Sequence, residues 1–333
     1  MFLFCILGHG WALAQDLEKT TTERKDKEPV PVIFDTDMAE DYDDVGTVAA
    51  LYALEKLGEL SVLATLSSNA YETTVPTLSV LNTYFGREEV PIGITKKRAP
   101  SRPCPQGWAQ HIISKYPHRL KSNDQALEAV ALYRKVLSVH PDRSITILTV
   151  GFLTNLAALL DSAPDAYSPL SGHELVKKKV KQLICMAGRT PRKNASWIEY
   201  NIKHDIAAAQ SVFAKWDTPI IMSPFEVGRE IRTGIPLINN EGINNSPVKD
   251  AYRIALTKDK NTVGRQSWDQ TVVLVAARGI APFFNERKVR VRIDDEGNCL
   301  MQPGNQVSLL SLKQPPEQIA AIIEELMHYV PIN

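Results

Sequence analysis

The chain has 333 residues, and its 38 Lys+Arg balance 38 Asp+Glu, so the formal net charge is zero. That balance excludes the basic footprint of a nucleic-acid polymer binder and the surplus acid of a solvating tail. Apolar residues make up 44% and charged residues 23%, which excludes disorder, collagen, coiled coil and a polytopic membrane protein and leaves ample material for a core.

Residues 1–14 (MFLFCILGHGWALA) are too few to span a bilayer, which takes about 20 apolar residues. They end on the small-x-small pattern Ala12-Leu13-Ala14 and read as an export signal, although no Lys or Arg precedes Glu18. Export would place the mature chain in a periplasm or outside the cell. Residues 15–29 are charged and lack apolar periodicity, as a flexible linker does. The rest, 30–333, contains no further linker and reads as a single domain. Cys5 leaves with the signal, and Cys104, Cys185 and Cys299 stand too far apart for a disulfide framework or a zinc site.

Residues 30–34 (VPVIF) form a short β-type run, 45–57 carry helical periodicity, 60–66 read as strand and 75–85 as helix. Further strands are expected at 91–94, 144–150, 180–186 and 219–222, with helices at 125–139, 153–160 and 206–216. The C-terminal part adds helices at 246–257, 268–278 and 315–329 and two β-like pieces, 288–293 and 306–310. The alternation predicts an α/β fold: an open, mainly parallel sheet covered by helices on both faces, with a small peripheral β-hairpin near the C-terminus. In such sheets ligands bind beyond the carboxyl ends of the strands.

The segment after the first strand is Asp35-Thr36-Asp37-Met38-Ala39-Glu40-Asp41-Tyr42-Asp43-Asp44, six acids and no base in ten positions. Packing that much like charge is costly unless something positive binds there, and hard divalent cations take such oxygen ligands. Helix capping accounts for Asp43 and Asp44 but not for Asp35 and Asp37 at the strand exit. An EF-hand register fails from either Asp35 or Asp41. A DxD phosphatase of the haloacid-dehalogenase type matches in part, with Asp35 as nucleophile.

Together with the segments that follow in order, this stretch resembles the inosine/uridine-preferring nucleoside hydrolase family. Its usual DxDPGxDD is here two residues longer, as in a bacterial subgroup with DTDxxxDxDD. Leu66-Ser67-Ser68-Asn69 is similar to the strand end whose Asn reaches ribose. The stretch from Thr149 to Ala157 is similar to the GxLTNLA turn, and Glu199-Tyr200-Asn201 to the sugar-holding E-F-N triplet. Trp268-Asp269 is similar to the late H-D pair.

The resemblance implies calcium-dependent hydrolysis of the N-glycosidic bond of a ribonucleoside or related N-riboside. Asp37, Asp44, the Val150 carbonyl and Asp269 would hold Ca2+, with Asp37 accepting the water proton as the catalytic residue. Asp43, Asn69, Asn194, Glu199 and Asn201 would bind the sugar. Trp268 departs from the family histidine that assists the leaving base, and an indole cannot supply that proton; it would stack on the base or serve the core. Asn155 is expected to tie down its turn, Asp205 to cap a helix, and Asp41 has no assigned part. The partner is then a small nucleoside, with no stable membrane span, in a homo-oligomer of two or four chains. A nucleoside- or sugar-binding protein without turnover is the leading alternative, ahead of the phosphatase.

Overall fold

The computed structural model describes residues 28–96, 99–191 and 197–331. The signal at 1–14, the linker up to residue 27 and Asn194 lie outside the described residues. The domain starts with β1 (Val30–Thr36), α1 (Asp43–Lys56), β2 (Leu60–Ser67), α2 (Thr74–Tyr84) and β3 (Ile92–Ile94). Then come α3 (Trp108–Lys115), β4 (Leu127–Glu128), α4 (Ala129–Val139), β5 (Ile145–Thr149), α5 (Thr154–Leu160) and α6 (Gly172–Lys179). The middle contains β6 (Val180–Met186), α7 (Tyr200–His204), α8 (Ile206–Lys215), β7 (Ile220–Ser223), α9 (Phe225–Glu230), β8 (Arg232–Thr233) and α10 (Ile235–Asn239). The chain closes with α11 (Pro247–Lys258), β9 (Arg265–Gln266), α12 (Gln270–Arg278), β10 (Phe284–Ile293), β11 (Cys299–Pro303), β12 (Val307–Leu312) and α13 (Pro316–Met327).

The main sheet runs β11-β10-β12-β7-β6-β5-β1-β2-β3-β4, parallel from β12 to β4. Only β10 runs against its neighbours β11 and β12. The pieces expected at 288–293 and 306–310 fall in β10 and β12, which pair antiparallel as the C-terminal hairpin expected from the sequence. A third strand, β11, joins them, and β12 pairs in parallel with β7 because its apolar residues Val307, Leu309 and Leu310 are all buried. No described helix is long and apolar enough to cross a membrane.

Side chains along β1 alternate between two cores, as a period of two requires. Val32 and Phe34 pack with α1, α2, α11, α12 and α13, whereas Ile33 faces α4, α5, α6 and α8. With both faces covered, the strand must be an apolar run, which is why VPVIF was legible. The three described cysteines are free and buried, so the fold rests on these cores.

After β1 the chain builds β2, β3 and β4 on one side, then crosses back to place β5 on the other. That reversal makes the β1/β5 junction the topological switch point, where parallel sheets open a crevice. The strand ends there are stitched together: Val150 N–H donates to the Asp35 carbonyl at 2.8 Å, and Ser68 N–H to the Thr36 carbonyl at 2.9 Å. Gly151 allows this approach, since a Cβ at that position would lie 2.3 Å from the backbone nitrogen of Asp37 and 2.7 Å from the Thr36 carbonyl carbon. Both obstacles are backbone and cannot swing aside. Gly151→Ala is expected to destabilise the fold by about 1–3 kcal/mol, the usual cost of overpacking. Thermal denaturation of the variant checks this, and an unchanged midpoint would contradict the close approach.

Candidate active site

The acidic segment leaves β1 at the switch point and re-enters regular structure at α1, whose first residues are Asp43 and Asp44. Ala39 turns the intervening loop with φ of 88°, a left-handed conformation that is uncommon for a non-glycine residue. Asn69, at the end of β2, holds that loop from below. Its Nδ2 donates to the carbonyls of Asp37 at 3.1 Å, Met38 at 3.3 Å and Arg102 at 2.9 Å, and its Oδ1 accepts from Tyr71 and Arg102 N–H. Asn69 is thus fully engaged by backbone, is completely buried and does not line the cavity above it. The sequence reading gave it to ribose; the structure uses it as scaffold.

That cavity, about 360 Å³, is lined by Asp37, Asp43, Asp44, Val150, Glu199, Asn201, Trp268 and Asp269 among others. So the expected catalytic and metal-holding residues come together, and with them every expected sugar contact except Asn69 and the undescribed Asn194. One carboxylate oxygen from each of Asp43, Asp44 and Asp269 lies within 4.8 Å of the others. Asp43 Oδ2 also accepts from the backbone N–H groups of Trp268 at 3.2 Å and Asp269 at 3.4 Å, which fixes the start of α12 against the start of α1. The Thr36 hydroxyl donates to Asp44 Oδ1, while Asp44 Oδ2 is buried with no hydrogen-bond partner.

Burial and mutual repulsion set the electrostatics. The Asp37 carboxyl is held well above the ordinary carboxylate range by burial, then by Glu40 and Asp43. Asp44 is raised by burial and by Asp37, Asp43 by burial and by Asp44, and Asp269 by burial and then by Asp43, Asp44 and Asp37. Carboxylates in this condition keep protons or recruit a cation. The carboxylates and carbonyl are oxygen donors, with no His or Cys among the described lining residues, so the set suits a hard divalent ion and not a soft one.

The surrounding polar groups orient this set. Asn201 Nδ2 donates to the carbonyls of Val150 at 2.8 Å and Met186 at 3.1 Å, aiming the end of β5. Glu199 caps α7: its Oε1 accepts from Asn201 N–H, and its Oε2 from the N–H groups of Gly188 and Ile202. Asn155 ties its turn as expected, but by donating to both oxygens of Asp35, at 3.1 and 3.0 Å. Tyr133 OH donates to the same carboxyl at 2.9 Å, and burial pushes Asp35 up to about 7. Asp35 is completely buried and does not reach the cavity, which removes the nucleophile of the phosphatase reading. Asp205 caps α8 by accepting from Ala208 N–H at 3.1 Å. His204 packs against Tyr200 in a tilted contact, ring centroids 4.2 Å apart, and does not line the cavity.

One lining group has no signal in the sequence. Arg265, from β9, forms an ion pair with Asp41 and lines the cavity beside Trp268 and Phe225. Asp41 and Arg265 stand 224 positions apart in the chain, and no spacing rule joins them.

The family model for inosine-uridine preferring nucleoside hydrolase matches residues 32–325. The protein C1683.06c of Schizosaccharomyces pombe is 26% identical over 288 residues, covering 81% of this chain and 86% of that protein. The non-specific ribonucleoside hydrolase RihC of Escherichia fergusonii is 29% identical over 193 residues, 55% of this chain and 58% of the hydrolase. The solved structure of the plant nucleoside hydrolase PpNRh1 superposes with a TM-score of 0.67 at 21% identity, covering 90% of this chain and 99% of that one. That likeness shows the shared fold. Because the family match runs from β1 through Asp269 and into α13, it takes in the whole acidic cavity; the chain belongs to the inosine-uridine preferring nucleoside hydrolase family and is a hydrolase of N-glycosyl bonds.

Proposed function

We propose that the chain cleaves ribonucleosides to ribose and free base with a calcium ion held by Asp37, Asp44, the Val150 carbonyl and Asp269. The observation that carries this reading is the meeting of the β1, β5 and α12 acids and carbonyl in one cavity. The buried, unpartnered Asp44 Oδ2 and the close oxygens of Asp43, Asp44 and Asp269 fit an ion at that place. Several carboxylates with a main-chain carbonyl suit calcium better than magnesium, which keeps more of its own water. When bound, the cation supplies positive charge that makes a nearby water easier to deprotonate.

The chain's own residues do the rest. Asp37, an ionised carboxylate once the cation is bound, lines the cavity and takes the water proton. Asp43, with one oxygen on the 268–269 turn, offers the other to a ribose hydroxyl. Glu199 and Asn201 form the sugar-side wall, where fixed polar groups steady the ring as it gains oxocarbenium character. A binding protein without turnover is the second reading, favoured by Trp268 in the place of a proton donor; tight nucleoside binding with no base released over hours would establish it. We also propose export through residues 1–14 and assembly into a dimer or tetramer, to be checked by fractionation and by the solution mass.

Chromatographic detection of free base from a nucleoside panel tests the main reading. Asp37→Ala is expected to lower turnover by about 10²–10⁴, the usual contribution of a general base. Full calcium-dependent activity in that variant would overturn the mechanism.

A pH dependence follows from the same acids. Their folded-state pKa values lie above the ordinary 3.8, so the folded chain holds protons that the unfolded chain has released. Without calcium, stability is therefore expected to fall as the pH rises above the ordinary carboxylate range, with the Asp35 contribution lost by about pH 7. Calcium must displace protons from Asp37, Asp44 and Asp269, so its affinity should rise with pH while the loss of stability shrinks. Calorimetric titration and melting at several pH values check both trends, and a calcium affinity independent of pH would contradict them.

A further inference from the structure

Trp268 stands where a proton donor to the departing base is expected, and the structure removes any remaining doubt about its N–H. The indole Nε1 donates to the Phe225 carbonyl at 2.9 Å. The Phe225 ring lies 5.2 Å from the indole with a 30° tilt. Gly228 brings α9 against it, since a Cβ there would lie 2.3 Å from Trp268 Cα. Trp268 is a fixed wall whose polar atom is already used.

What that wall supports is a cation. The Arg265 guanidinium lies 5.0 Å from the Trp268 ring centroid and 5.1 Å from that of Tyr42, and its Nη2 pairs with Asp41. Nε is buried without a partner, and among the described residues no hydrogen bond to Nη1 is seen, so the guanidinium that lines the cavity keeps donors to offer. Among the described residues lining the cavity, Arg265 is the only Lys, Arg or His. It lines the same cavity as Glu199 and Asn201 and lies beside the indole.

We propose that Arg265 is the electrophilic group on the base side: its fixed positive charge offsets the negative charge that builds on the departing base, in place of protonation by a histidine. The inference rests on the hydrolase reading above. As the C1′–N bond breaks, its electron pair goes to the base, and the water oxygen bonds to C1′ while its proton goes to Asp37. The base later takes a proton from solvent, and Arg265 keeps all of its own. Burial pushes the guanidinium only down to about 10, so it stays charged at neutral pH. Two rings and one carboxylate hold it before the reaction begins, so little reorganisation is needed when charge develops. Asp41, in the longer acidic loop, is then a positioning residue that acts through Arg265.

The test compares leaving groups. The full chain and its Arg265→Gln, Arg265→Lys and Asp41→Asn variants are assayed on inosine, on uridine and on 4-nitrophenyl riboside, whose phenolate departs without help. Arg265→Gln is expected to lose about a hundredfold or more in kcat/KM on the nucleosides, as when one preorganised donor is removed, and under about fivefold on the nitrophenyl riboside. Arg265→Lys should recover part of the nucleoside activity, and Asp41→Asn should show a smaller loss with the same leaving-group bias. Equal losses on all substrates, or none, would overturn the inference while leaving the hydrolase reading intact. If Arg265→Gln fails to fold, the Lys and Asp41→Asn variants carry the same comparison. A wild-type chain that cleaves none of these substrates would remove the hydrolase reading and this inference with it.

Discussion

Like charges forced together in a low-dielectric crevice are the constraint on which the rest of the site depends. Asp37, Asp43, Asp44 and Asp269 are each nearly or fully buried, and each is raised by burial and by another acid close by. The donors that do reach them, the Trp268 and Asp269 N–H groups on Asp43 and the Thr36 hydroxyl on Asp44, are outweighed by burial and repulsion. The polar groups around them are spent on the backbone: Asn69 on loop carbonyls, Asn201 on the Val150 and Met186 carbonyls, Glu199 on N–H groups. These bonds fix where the acids sit and leave their charge uncompensated. A scaffold satisfied in its backbone and unsatisfied in its carboxylates is arranged to receive positive charge.

The parts of this arrangement that sequence made legible are those with a local cause. Strands β1 and β5 are covered on both faces, so they had to be apolar runs, and both were found close to their true limits. Six acids in ten positions are conspicuous at any strand exit. Asp205 and Asn155 were placed by turn chemistry, although only the structure shows that Asn155 acts on Asp35. What was missed has long-range causes. The scaffold role of Asn69 depends on where the 37–38 and 102 carbonyls arrive. Helix α3 and strand β11 are short and follow irregular stretches, so their periodicity is brief. The parallel pairing of β12 with β7 is a matter of sheet order, which hydrophobic pattern alone does not specify.

The cavity has two halves of different origin. Its acidic floor comes from one contiguous segment and one later aspartate. The wall beyond it is assembled from the Asp41–Tyr42 pair, α9 and the 265–268 stretch, which meet only in the folded chain. The two residues by which the acidic loop exceeds the usual family motif fall in the stretch that holds Asp41. The longer loop and the replacement of histidine by Trp268 thus meet at one place, the Arg265 guanidinium.

Arg265 also bears on whether the acids need a metal at all, since a guanidinium in the same cavity is a candidate counter-charge. Its effect argues otherwise. Arg265 does lower Asp269, but this is outweighed by burial and by the three neighbouring aspartates, and Asp269 stays well above the ordinary carboxylate range. The guanidinium is already paired with Asp41 and held between two rings, so it cannot move down to the floor without breaking both. One charge committed to a neighbouring carboxylate does not neutralise four others. The floor still calls for a metal ion, and the arginine is left free of that duty for the part proposed for it at the departing base.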